Sequence, residues 1–230
     1  PQQVSSAASD VYKRQLYITN FFTAENVGRY DFVRSTLMVL GGIALMGTNQ
    51  SIIYYSGFLK ARKSVESIRS IYFKMLRIII SFSLIILGLF LCLFNELTIT
   101  QIFNSTESYK LILMSIFTLI FFSTTMLNID TIRALQNTIL SEIYRSLFRY
   151  IPVFIFAIIL IQYNQQPYLV EAYLFGFVLL SVFSGIKVFN MLGGLKKTSK
   201  ESEKFSIREI FKTSAPMALS AIAYLSLIHI

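Results

Sequence analysis

From Ile78 to Phe94 the chain reads IIISFSLIILGLFLCLF, with no charge anywhere in it. As a helix these residues cover about 25 Å, close to the roughly 30 Å hydrocarbon core of a bilayer. A basic stretch precedes them: Lys60, Arg62, Lys63, Arg69, Lys74 and Arg77. Lys74 and Arg77 extend the span by laying their stems along apolar surface and placing their charges among headgroups. A basic collar on one end of an apolar rod marks the end that faces the cytoplasm, because Lys and Arg resist translocation.

The rest of the composition agrees. Hydrophobic residues make up 54% of the 230 and charged residues only 14%, too few to coat a soluble domain of this size. A net charge of +9 would point to nucleic acid if it formed a surface stripe. Here the basic residues sit in short loops between apolar runs, so they read as a topology signal and nucleic acid is not expected as a partner. Cys92 stands alone inside an apolar run, which excludes an internal disulfide or a thiolate metal cluster. His229 is the one histidine, so histidine-based catalysis has nothing to work with. No enzyme activity, metal or cofactor is expected.

Uncharged intervals map the spans: 15–24, 35–59, 78–95, 111–129, 150–170, 172–186 and 213–228. The first, with Leu16 to Phe22, reads as the tail of a helix, and the next five are each long enough to cross. Loop charges support this. Segments 57–77, 129–149 and 187–212 hold sixteen of the twenty-one Lys and Arg residues, and they alternate with loops that hold few. The reading is an all-α polytopic bundle of about six helices: a truncated first, then 31–56, 72–94, 111–130, 147–163 and 169–192, with another beginning near Ile207. Tyr30, Tyr54, Tyr55, Tyr72, Tyr109, Tyr150, Tyr163, Tyr168 and Tyr173 fall near the proposed ends, where an amphipathic ring suits the headgroup layer.

Two stretches are not plain spans. Residues 130–149 space Leu135, Ile139, Ile143 and Leu147 four apart, an amphipathic pattern that continues the flanking helices or lies on the membrane surface. Residues 193–206, GGLKKTSKESEKFS, read as a flexible cytoplasmic connector. The expected organisation is therefore a transmembrane lobe over 16–192, this connector, and the start of a second lobe over 207–230. The opening 1–15 and the last five or six residues resemble translated linker sequence and are expected to be non-native.

Helix 31–56 is the least lipid-like span. Ser35, Gly42, Asn49 and Ser56 fall seven apart and share one stripe, with Arg34, Gly41 and Thr48 beside it. Such a stripe either packs helices through small residues or lines a hydrated cavity. Packing is the commoner use of such a stripe; the polar run Thr48, Asn49, Gln50, Ser51 is what keeps the cavity reading open. Ionisable residues near spans are candidates because burying them is costly: Arg34, Lys74, Arg77, Asp130, Arg133, Arg149, Glu171 and Lys187. Most have an alternative reading as interface anchors, and Asp130 with Arg133 as a helix-surface ion pair. Pro152 and Pro216 read as first-turn prolines.

The run FFTAENVGRYDFVRSTLMVLGGIALMGTNQSIIYYSGFLKARKS resembles the start of Wzx-type oligosaccharide flippases, polysaccharide transporters of the superfamily that also holds MATE exporters and the lipid II flippase. The shared features are the VGRY turn, the GTNQSIIYY end and the basic loop after it. REIFKTSAPMALSAIA resembles the opening of that family's seventh helix. The resemblance implies one lobe of a two-lobe transporter in the bacterial cytoplasmic membrane. It would flip a polyprenyl-pyrophosphate-linked oligosaccharide by alternating access. Its expected partners are that substrate, membrane lipids and other polysaccharide assembly proteins. Arg34 is the expected phosphate contact and Thr48, Asn49 and Gln50 the sugar-facing groups, with Arg77 and Asp130 completing the candidate binding set. The rival readings are a MATE-like antiporter, which wants an acid buried mid-helix, and a membrane-embedded glycan polymerase or glycosyltransferase. The latter needs more acid–base residues than Glu96, Glu107, Lys110 and Glu171 offer.

Overall fold

A computed structural model of the chain describes residues 21–62, 64–163, 165–195 and 205–228, with side chains up to Ser220. Every regular element among these residues is helical. Four segments are long and apolar enough to cross a membrane: Ser67–Leu93, Ser108–Ala134, Thr138–Gln162 and Gln166–Gly193. A bent pair, Ala24–Leu45 with Thr48–Ala61, makes a fifth if counted as one span. The chain is a multi-pass membrane protein. Residues 16–20 of the expected first helix, the opening 1–15 and most of the connector fall outside the described residues.

The polar helix expected as one rod over 31–56 is broken. α1 (Ala24–Leu45) starts on Thr23, whose hydroxyl accepts from the Asn26 amide, and ends where Met46 and Gly47 take φ of 44° and 72°. Two left-handed residues in a row cannot continue a right-handed helix. α2 (Thr48–Ala61) resumes at a 44° bend. Hydroxyls patch the break: Thr48 donates to the Leu45 carbonyl at 2.7 Å and Ser51 to the Thr48 carbonyl at 3.2 Å. The stripe Ser35, Gly42, Asn49, Ser56 is not one face. Ser35 is exposed, while Ser56 is buried and donates to the Ala134 carbonyl.

α3 (Ser67–Leu93) contains the uncharged run and leads through Asn95, which caps the short α4 (Glu96–Phe103), to α5 (Ser108–Ala134). α5 is the hub. Of its most apolar stretch 61% is buried in the bundle, against 11% for Thr138–Gln162. Its sequence explains this: Ser115, Thr118, Thr125 and Thr131 are small, buried, and donate to the carbonyls four residues back. Small side chains let neighbouring helices approach closely, and their hydroxyls need no outside partner.

After a turn at Gln136 (φ 69°) the chain reverses into α6 (Thr138–Ile143), a π-helical turn over Tyr144–Phe148, and α7 (Ile151–Gln162). The amphipathic segment thus continues into the next span, which starts well before the expected residue 147. Pro152 sits in the first turn of α7, as its sequence position implies. α8 (Leu169–Gly193) returns, and α9 (Ile207–Ile228) packs across α2 and α3. α9 begins in a capping box, Ser206 and Glu209 each accepting the other's backbone N–H. Because that start lies upstream, Pro216 falls inside α9, not in its first turn.

Several of the tyrosines near the proposed span ends are buried among the helices. Tyr30, Tyr55, Tyr72 and Tyr173 are at most 3% exposed, whereas Tyr54, Tyr163 and Tyr168 are open. Two of the buried hydroxyls donate within the bundle. Tyr72 donates to Asn128 Oδ1 at 2.7 Å, Asn128 donates to Ser184 at 2.9 Å, and Tyr55 donates to Thr213 at 3.1 Å.

Candidate functional site

Two groups of polar side chains lie inside this apolar frame, one around Arg149 and one around Asp130.

Arg149 joins the π turn to α7, fourteen residues before Tyr163 at the far end of that span. At 1.5 Å per residue this is about 20 Å, shorter than a hydrocarbon core of roughly 30 Å, and Glu142 and Arg145 precede it on the same segment. Its guanidinium carbon lies 5.8 Å from the Phe122 ring centre, 5.9 Å from that of Phe177 and 5.8 Å from that of Tyr150. The rings below interlock edge to face: Phe122 with Phe177 at 5.0 Å, Phe177 with Tyr173 at 5.2 Å, and Tyr173 with Tyr30 at 4.9 Å. Gly41 on α1 allows this floor to form, because a Cβ there would run into the Phe122 ring. Gly176 likewise lets α8 close on Pro152, 3.3 Å from where its Cβ would be.

Arg149 Nε is buried and has no hydrogen-bond partner among the described residues. Magnitudes show what this means. A guanidinium at mid-membrane costs about 2.5–3.5 kcal/mol on insertion scales. Cation–π attraction offers about 0.5–2 kcal/mol and fades near 6 Å, where these rings stand. Rings at this distance offset only part of such a cost; Arg149 is half-buried, and its Nε is the one of its nitrogens that is both buried and without a hydrogen-bond partner.

Arg34 approaches the same place from α1. It lies one helical turn beyond Tyr30, whose ring meets that of Tyr173 at 4.9 Å. Arg34 is half-buried and stands 3.3 Å from Asp31 on its own helix, without hydrogen-bond alignment at Nε. Nearer the same end of the bundle, Arg29 pairs with Glu107 at 2.9 Å, tying α1 to the start of α5.

The second group centres on Asp130, 7% exposed near the end of α5. Its Oδ1 receives Arg145 from the π turn at 2.5 Å, and its Oδ2 receives the Asn49 amide at 3.2 Å. Arg145 also faces Glu142, at 4.0 Å. The surface pair of Asp130 with Arg133 does not form: Arg133 is exposed, and the turn at Gln136 swings Arg145 back onto the buried carboxylate.

The sequence candidates therefore separate. Asn49 and Asp130 are joined, and Arg34 belongs with Arg149. Thr48 is fully buried with its hydroxyl closing the helix break, so it faces packing and not a hydrated space. Gln50 and Arg77 are exposed and bonded to neither group. Arg149 had an interface reading from sequence, because its span was expected to begin at 147. The apolar segment begins at Thr138, so Arg149 lies within it and not at its start. Arg145 had no signal beyond lying four residues before Arg149.

No protein-family model, no curated protein and no solved structure matches this chain.

Proposed function

We propose that the protein carries an anionic, lipid-linked oligosaccharide across the bacterial cytoplasmic membrane, as one lobe of an alternating-access flippase. The observation that carries this reading is Arg149, half-buried against the Phe122 and Phe177 rings with its Nε lacking a hydrogen-bond partner among the described residues, on the side of the bundle where α1 brings Arg34 one turn beyond Tyr30. A pyrophosphate matches that pair, since it offers acceptors to two guanidiniums and neutralises both. The aromatic floor of Phe122, Phe177 and Tyr173 suits the apolar or sugar surfaces next to such a headgroup. Multidrug antiport by the same kind of bundle is less well supported, because Asp130, the one buried acid among the described residues, is already paired with Arg145.

The test uses the full-length protein in proteoliposomes with a fluorescent polyprenyl-pyrophosphate oligosaccharide. Arg34→Gln and Arg149→Gln should each slow its transbilayer movement by about tenfold or more, the usual worth of a hydrogen bond to a charged group. Membrane insertion should be unchanged. Wild-type flipping in both variants would remove the anion site and the reading with it.

A further inference from the structure

The segment that carries Arg149 is loosely held, and this makes its few fixed points informative. Only 11% of the most apolar stretch of Thr138–Gln162 is buried. Near its start two side-chain bonds tie it to the hub α5: Ser141 donates to the Ile129 carbonyl at 2.9 Å, and Arg145 is held by Asp130. The register is that of an antiparallel pair. Arg145 meets Asp130, and four residues later Arg149 meets Phe122, eight residues back along α5. Between the two arginines lies the π turn, braced by Tyr144 against Phe148 at 4.9 Å. A π turn inserts residues into the helical phase, so a tether at one side sets the angle at which residues beyond it emerge. Asn49 holds the other carboxylate oxygen and so links this tether to the bend between α1 and α2.

We infer that Asp130 is a positioning residue for the anion site: by clamping Arg145 against α5 it fixes the π turn and thereby aims Arg149 over the Phe122–Phe177 floor. This rests on the proposed anion reading of Arg149. Asp130 itself, buried and doubly bonded, touches no substrate. Its effect on binding passes through Arg149 alone.

The experiment is a double-mutant cycle on the full-length protein in detergent, read by calorimetric titration with inorganic pyrophosphate. Asp130→Asn should weaken pyrophosphate binding by about tenfold, a typical coupling between a site and its support. In an Arg149→Gln background the same change should have no further effect. The exchange Asp130→Arg with Arg145→Asp should restore most of the affinity, and it is the variant to rely on if Asp130→Asn does not accumulate. A purely structural salt bridge would shift the melting temperature while leaving pyrophosphate affinity intact, or would weaken binding equally in both backgrounds. Either result overturns the positioning role. If Arg149→Gln alone leaves pyrophosphate binding at the wild-type level, the anion site fails, which is a separate outcome.

Discussion

Gly47 lies flush against the backbone of Ser214: a Cβ added at Gly47 would overlap the Ser214 carbonyl and come within 2.7 Å of the Ala218 nitrogen. The break between α1 and α2 is therefore the point where α9 crosses. Ser51 and Ser214 share a hydrogen bond at 2.7 Å one turn beyond it. Gly47→Val should be strongly destabilising, since a left-handed φ of 72° alone costs a β-branched residue about 1–3 kcal/mol and the collision adds to it. Thermal unfolding in detergent measures this. A variant as stable as wild type would show that α9 does not seat on the break.

Removing the Tyr72 hydroxyl leaves Asn128 Oδ1 without its donor inside the bundle. Tyr72→Phe should lower stability by about 0.6–1.7 kcal/mol, the range for interhelical hydrogen bonds in membranes. The change should not alter pyrophosphate binding, because this network lies on a different set of side chains from the Arg149 floor. Paired melting and binding measurements on the same preparation separate the two effects.

Arg149→Leu should move stability and function in opposite directions. Replacing an underpaired cation by an apolar side chain should raise the unfolding free energy by about 2 kcal/mol, while abolishing pyrophosphate binding. Were the arginine a structural anchor, the leucine variant would melt earlier. A lower melting temperature would therefore count against a ligand role.

Sidedness follows from the basic loops and is open to direct labelling. With Cys92, exposed on its helix, first changed to Ser, a cysteine placed at Gln165 should react with an impermeant maleimide in intact cells. One placed at Arg62 should react only after permeabilisation. The reverse pattern would invert the bundle and every inference about which leaflet the site faces.

How much of this was readable beforehand depends on what each residue answers to. The bounds of α8 follow closely from local chemistry, Leu169–Gly193 against the expected 169–192, whereas α3 starts at Ser67 instead of 72 and α5 runs over Ser108–Ala134 instead of 111–130, because helix continues past the edge of an uncharged run. The break at Met46–Gly47 was hidden, because Gly41, Gly42 and Gly47 look alike in sequence and only contact with Ser214 distinguishes the last. Treating charges as span boundaries also concealed Arg149, whose span begins eleven residues earlier at Thr138. The Asp130 partner was invisible for a related reason. Arg133 is the near choice along a helix, and nothing local shows that Gln136 turns the chain so that Arg145 arrives instead.

The hydroxyls of α5 have one more implication. Ser115, Thr118, Thr125 and Thr131 each bond to their own helix, so along those positions the hub offers its neighbours a surface without directional bonds. Adjacent helices can slide or tilt over such a surface while exchanging only dispersion contacts, each of about 0.1–0.2 kcal/mol. The directional bonds onto α5 come instead at its second half, from Asn49 and Arg145 to Asp130, from Tyr72 to Asn128, from Ser56 to the Ala134 carbonyl and from Ser141 to the Ile129 carbonyl, with Asn128 donating on to Ser184. The hub is thus pinned toward one end and joined to its neighbours by shape alone along Ser115 and Thr118.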